Sequence, residues 1–254
     1  MIFDTHAHYN DALFTDKENL FNEMCSSVCG IINCGTNYKT SKECLDLAKK
    51  HKGFCYAACG VHPSELEDTF DKQKLLDMFT DEDNIAIGEI GLDYHYDFFA
   101  KELQKDWLKK QLEISKEINK PVILHDRDSH NDILEILKKF KPSGVLHCFS
   151  GSTEMLKEVL DIGLYIGIGG VVTFKNARKT VEVVKALPLE RLLLETDAPY
   201  LSPEPFRGKL NRSDYIIYVA QKVAEIKDIS VKSVLEANIY NACNLFKINI
   251  KKSL

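Results

Sequence analysis

The sequence predicts a parallel α/β barrel of the (β/α)8 kind, and three observations carry that expectation. Eight short apolar runs rich in Val, Ile and Leu recur along the 254 residues. Most are continuous rather than alternating, the mark of parallel strands covered by helices. Segments of helical period with charged outer faces separate them, and this alternation in one chain of this length fits a closed barrel. A doubly wound open sheet is the rival fold, but it usually carries a glycine fingerprint after its first strand, where this chain reads His6-Ala7-His8.

The elements follow in order. Strand Ile2–His8 leads to helix Asp16–Val28, and strand Gly30–Thr36 to helix Ser41–His51. Strand Cys55–His62 is stopped by Pro63 before helix Lys72–Phe79. Strand Ile85–Asp93 precedes the long helix Phe98–Asn119, and strand Pro121–Asp126 precedes His130–Phe140, where Ser129 is the expected N-cap. Strands Gly144–Ser150, Leu164–Gly170 and Leu192–Pro199 complete the ring, with helices Thr153–Asp161 and Ala177–Leu187 between them. Two trailing helices, Ser213–Ile226 and Val231–Phe246, close the order, the second with Ser230 as its expected cap. No linker, repeat or low-complexity tract divides the chain, so residues 1–254 are expected to form one domain.

Composition excludes several classes. At 44% hydrophobic and 28% charged the chain has the material for a large core and is not disordered. The longest apolar runs fall far short of the ~20 residues of a membrane span. The opening Met1-Ile2-Phe3-Asp4-Thr5-His6 is no signal peptide, so a cytoplasmic location is expected. The net charge of −5 provides no global positive field, and a polyanionic substrate would have to be held by local groups or metal ions. The eight Cys form no CxxC pair and sit mostly in apolar segments, which reads as reduced, buried thiols.

Chemistry in such a barrel belongs at the C-terminal ends of the strands, and five of the eight His close a predicted strand: His6, His8, His62, His125 and His147. Glu89 and Asp197 join them. His6 and His8, two apart on one strand, share a face and can reach one ion together. Imidazole and carboxylate suit Zn or Mn, and Mg less readily. With His62 set aside, the four His and two carboxylates are too many for one catalytic ion with an open position, but they suit two ions bridged by Glu89. His62 is expected to touch substrate phosphate or a metal-bound water, or to fix the loop. Asp93 and Tyr94 are candidates to orient a ligand His or to fix the loop. Arg127 and Arg207 are candidates for phosphate contacts, since guanidinium matches that geometry. Lys175, Arg178 and Lys179 read as the wet face of a helix, and Cys148 as core.

At these residues the sequence resembles the TatD family of metal-dependent deoxyribonucleases, within the amidohydrolase-like barrels. The motifs that carry the resemblance are Asp4-Thr5-His6-Ala7-His8, Gly60-Val61-His62-Pro63 and Gly88-Glu89-Ile90-Gly91-Leu92-Asp93-Tyr94, followed by His125-Asp126-Arg127-Asp128, His147-Cys148-Phe149-Ser150-Gly151 and Glu195-Thr196-Asp197-Ala198-Pro199-Tyr200. The resemblance implies that His6, His8, Glu89, His125, His147 and Asp197 are metal ligands and that the activity is a Mg-stimulated, often exonucleolytic nuclease. One departure stands at Asn211-Arg212-Ser213, where the family continues Asn-x-Pro after Arg207-Gly208-Lys209. It bears on how the next helix begins, not on the metals.

The expected activity is therefore cleavage of DNA phosphodiesters by a dinuclear centre with Mg, Mn or Zn. Asp197 is the proton acceptor, Glu89 the bridge, and His62, Arg127 and Arg207 contact substrate. The DNA partner is expected as single strands or chain ends, because no basic groove for a duplex is evident. The alternative is a dinuclear hydrolase of an amide, ester or lactone. A barrel that merely binds should have lost a ligand, and none is missing.

Overall fold

The computed structural model describes residues 1–250 of the chain. Eight strands form one parallel sheet in sequential order: β1 (Ile2–Ala7), β2 (Val28–Cys34), β3 (Cys55–Cys59), β4 (Asn84–Asp93), β5 (Val122–Arg127), β6 (Gly144–Leu146), β7 (Tyr165–Ile168) and β8 (Leu192–Leu194). Helices α1 (Lys17–Met24), α2 (Tyr38–Lys50), α3 (Lys72–Phe79), α4 (Lys101–Ile118), α5 (His130–Phe140), α6 (Thr153–Ile162) and α7 (Arg178–Ala186) alternate with them. After β8 come α8 (Ile216–Lys227) and α9 (Val231–Phe246). This is the expected (β/α)8 barrel.

Its seam lies between β8 and β1 and is closed largely by side chains. One isolated bridge joins Ala7 to Ala198, and the His8 amide donates to the Ala198 carbonyl at 2.7 Å. The buried Asp4 carboxylate accepts from the Thr196 amide and hydroxyl, at 3.0 and 2.6 Å, and from the Ser213 hydroxyl at 2.6 Å. Burial pushes the Asp4 carboxyl up to about 7, against those hydrogen bonds.

Two apolar layers hold the ring. The outer one packs the helices against the strands. Inside the barrel, Phe3, Ile32, Cys34, Ala58, Ala86, Ile123, Val145 and Leu193 come from every strand but β7, with two from β2. Leu245 and Phe246 of α9, with Ile248 beyond it, join this inner cluster and close that end of the barrel. The expected order gave the last helix no such task.

The strands are shorter than their apolar runs. β3, β6, β7 and β8 stop at residues 59, 146, 168 and 194, before His62, Ser150, Gly170 and Pro199. Beyond these points the backbone turns out of the ladder to form the mouth of the barrel. Val28 belongs to β2 rather than to the first helix, and α2 begins earlier than expected, at Tyr38, because Asn37 and Thr40 form a capping box. Ser230 caps α9 as expected, by accepting from the Ser233 amide. Ser129 makes no cap bond: its hydroxyl donates to the Leu92 carbonyl and to Asp126 instead. Cys148 is not a core residue, since β6 ends before it and strand alternation no longer sets its direction. It is half-buried, with φ 43° and its amide bound to Glu195. Lys175, Arg178 and Lys179 are exposed, as expected.

Candidate metal centre

The side chains at the mouth are aimed by irregularities in the strands that carry them. Between Asp4 and Ala7, β1 advances three residues while β2 advances two, from Ile31 to Asn33. Between Ile87 and Ile90, β4 does the same against Val122 and Leu124 of β5. Each bulge turns its strand locally, and His6 lies in the first while Glu89 lies in the second. The Glu89 amide is paired across the barrel top to the Gly35 carbonyl at 2.8 Å. Asp197, just past β8, takes φ 58°, a left-handed conformation that Asp tolerates, and its amide donates to the His6 carbonyl at 2.9 Å.

Glu89 is the hub. Its Oε2 lies 3.4 Å from His6 Nε2 and 3.5 Å from His8 Nε2. Its Oε1 lies 2.7 Å from both His125 Nδ1 and His147 Nε2, and 3.7 Å from His62 Nε2. Asp197 Oδ1 completes the first side, at 3.6 Å from His6 Nε2 and 3.3 Å from His8 Nε2. The rings of His6 and His147 stack between the two sides at 4.0 Å. All six residues expected to hold metal therefore come together.

Ionisation follows from this crowding. Burial alone would raise the Glu89 carboxyl, but His147, His6, His62 and His125 hold it well below the usual carboxylate range. Asp197 is lowered too, its burial outweighed by His8 and His6. Burial and the neighbouring His125 drive His62 down to about 3, so it is neutral.

The donor set fits divalent cations. His6 Nε2 and His8 Nε2 converge to 3.0 Å, and His125 Nδ1 and His147 Nε2 to 3.2 Å, so the ring nitrogens of each pair point at a common place beside a carboxylate. Among the described residues, three groups have donor atoms within 4.8 Å of one another: His6, Glu89 and His147; His6, His8 and Asp197; and His62, Asp93 and His125. Backing comes from behind the donors. His8 Nδ1 is 2.9 Å from the Cys34 carbonyl, and His125 Nε2 is 3.3 Å from Asp93 Oδ2, so Asp93 does orient a ring of the cluster. Tyr94 does not, since its hydroxyl donates to Asp132 at 2.7 Å and ties the loop. Sequence reasoning gave Glu195 no role, yet its Oε1 is 3.6 Å from His147 Nδ1. Its place inside the Glu195-Thr196-Asp197 motif was the available signal.

The surrounding cavity holds about 880 Å³ and is lined by His8, His62, Glu89, His125, His147 and Asp197 with Arg127 among the rim residues. Arg207 is elsewhere. It stacks on Phe174 at 4.3 Å in a separate groove of about 440 Å³ that shares only Tyr200 with the main cavity. His62 is tied by Nδ1 to the Ser64 hydroxyl at 2.7 Å and so serves loop and cavity together. His95 and His130 pair with Asp128 and Asp126, away from the cluster. At the departure Asn211-Arg212-Ser213, Arg212 pairs with Asp214 and Glu23, and Ser213 binds Asp4. A 3-10 turn over Ser213–Tyr215 then starts α8 without the proline.

Comparisons with known proteins identify the family. The family model described as TatD related DNase matches residues 3–247. The metal-dependent hydrolase YabD of Bacillus subtilis is 40% identical over 256 residues, covering 98% of this chain and 100% of its own. The metal-dependent hydrolase YcfH of Escherichia coli K12 is 39% identical over 198 residues, covering 77% and 75%. The crystal structure of YJJV, a TatD homolog from Escherichia coli K12, superposes with a TM-score of 0.90 at 32% identity over 98% of both chains. With its cluster of histidines and carboxylates around Glu89, the chain belongs to the family of TatD-related DNases.

Proposed function

We infer that this protein is a metal-dependent hydrolase of DNA phosphodiesters, acting on single strands or chain ends from a centre of two divalent cations, Mg, Mn or Zn. The observation that carries the reading is the division of Glu89, with Oε2 facing His6 and His8 and Oε1 facing His125 and His147. His6, His8 and Asp197 would hold one ion, His125 and His147 the other, with Glu89 between them. Cations bound there lower the pKa of water and offset charge on the scissile phosphate. Asp197, kept ionised by His8 and His6, would serve as the proton acceptor for a water activated there and would return the proton to the leaving oxygen. Glu89, also ionised, would lie between the two ions as a carboxylate rather than act as an acid.

Phosphate is favoured over an amide, ester or lactone by two arginines on separate flanks. Arg127 borders the cavity and Arg207 the adjoining groove, where each can take a phosphate oxygen. Neutral His62 can donate or accept in the same cavity as Arg127. Asp11, Glu43 and Glu65 line another part of the same cavity and repel a polyanion that would continue past it, which supports cleavage at an end.

The test is metal analysis followed by assay of end-labelled single-stranded DNA. Protein stripped by a chelator should lose cleavage, and restoring Mg, Mn or Zn should return it with up to two ions per chain. Full activity in chelator would overturn the reading, as would restored activity confined to a lactone or amide.

A further inference from the structure

Two aromatic rings stand in solvent on the wall of the metal cavity. Tyr96 and Phe98, on the loop between β4 and α4, are 47% and 58% exposed, and both line the cavity that contains Glu89 and His125. Their ring centroids are 5.2 Å apart with planes at 44°, so they form one contacting aromatic pair, a ledge of two tilted faces rather than two isolated side chains. Contiguous apolar area open to water beside a polar site marks a place where a ligand lies. A cation accompanies it: the Arg127 guanidinium sits 5.1 Å from the Tyr96 ring centroid, and β5 carries Arg127 two residues beyond His125. Tyr200, another exposed aromatic on this cavity, differs because its hydroxyl is bound to Asp11 at 2.8 Å. The ledge follows β4 and Tyr200 follows β8, four places apart in a ring of eight strands.

A guanidinium next to exposed aromatic faces matches the two unlike parts of a nucleotide, its phosphate and its base. A lactone or amide substrate offers no such pair. Resting on the reading of the centre as a DNA hydrolase, we propose that the Tyr96–Phe98 ledge is a nucleobase-stacking subsite. It seats the base of a nucleotide whose phosphate Arg127 contacts. Stacking uses the π face that every base has, so the subsite selects for the presence of a base and is tolerant of which one. Tyr96 and Phe98 thereby set where the strand lies relative to the ions. They touch substrate but take no part in bond breaking.

The test compares a short labelled single strand with the same strand carrying abasic sites at its two terminal positions. Dissociation constants are read by fluorescence anisotropy in chelator, and KM by cleavage with metal restored. Wild-type protein should prefer the base-bearing strand by roughly 5- to 150-fold, the range that one stacked base contributes. Phe98→Ala should bring that preference close to one, and Phe98→Trp should restore it, which also shows that the loop is intact. Equal treatment of the two strands by the wild type, or equal weakening of both by Phe98→Ala, would overturn the ledge while leaving the nuclease reading in place. Wild-type protein that neither binds nor cuts either strand would overturn both.

Discussion

His147 commits Nε2 to Glu89 and turns Nδ1 toward Glu195, yet Nδ1 and Glu195 Oε2 are both buried without a hydrogen-bond partner. A metal-bound imidazole holds its proton on the nitrogen away from the ion and needs an acceptor there, and Glu195 supplies the nearby carboxylate. Gly167 leaves the room for it, since a Cβ at that position would lie 2.3 Å from Glu195 Oε2. Glu195→Gln keeps the shape and removes the charge, so it should weaken metal binding by ~10–100-fold. Calorimetric titration of apoprotein checks this, and unchanged affinity would leave Glu195 with only its bond to the Cys148 amide. Single residues at this scale were legible in the sequence when their chemistry is rare at strand ends, as with His6, His8, His125 and His147. Glu195 and Asp93 act through other residues, so their roles depend on distances that spacing does not give.

At the scale of elements, the site depends on how β4 runs beside β5. The extra residue at Gly88–Glu89 shifts the register, after which Gly91 pairs with His125 and Asp93 with Arg127. The two chains come so close there that a Cβ on Gly91 would meet the His125 carbonyl oxygen at 2.0 Å. Gly91→Ala must therefore push β4 from β5, at a cost of about 1–3 kcal/mol or somewhat more. The expected result is a lower urea midpoint with an unchanged slope, together with weaker metal binding. A variant as stable as the wild type would show that the pairing is looser than the geometry implies. Pattern reasoning located all eight strands but carried several too far toward the mouth. Apolar runs such as Gly144–Ser150 continue past the last ladder pair, and periodicity does not register where hydrogen bonding stops.

On the scale of the whole molecule, the metal centre draws on β1, β4 and β5 and on the segments that follow β6 and β8, so bound ions tie distant parts of the chain together. Ligands that bind only the folded state stabilise it by mass action, and metal at 100 times its dissociation constant adds ~2.7 kcal/mol. For a chain of this size that corresponds to a rise in Tm of roughly 5–10 °C. Scanning calorimetry with and without chelator should show this shift in one cooperative transition, as expected if the chain unfolds as a single domain. Two separate transitions would refute the single domain, and a Tm indifferent to metal would refute the stitching. Cys34, Cys44, Cys55 and Cys59 are buried while Cys25 is exposed. Burial raises all four buried thiols, with Cys55 and Cys59 pushed up to about 12.

The sequence by itself determined the alternation of strands and helices, hence the barrel, and the set of imidazoles and carboxylates at its strand ends. Both are local properties: apolar period reports which faces are covered, and strand order in a closed ring makes neighbours of successive ends. What only the tertiary structure decided are relations across the ring. The bulges in β1 and β4 aim His6 and Glu89. The hydrogen bonds of Asp4 close the seam to β8, and residues of and beyond α9 seal the inner layer. Arg127 stands in the cavity with the Tyr96–Phe98 ledge, whereas Arg207 stands in the next groove on Phe174. Each depends on where two segments remote in the chain come to rest against each other, and that is set by packing of the whole barrel rather than by any local run of residues.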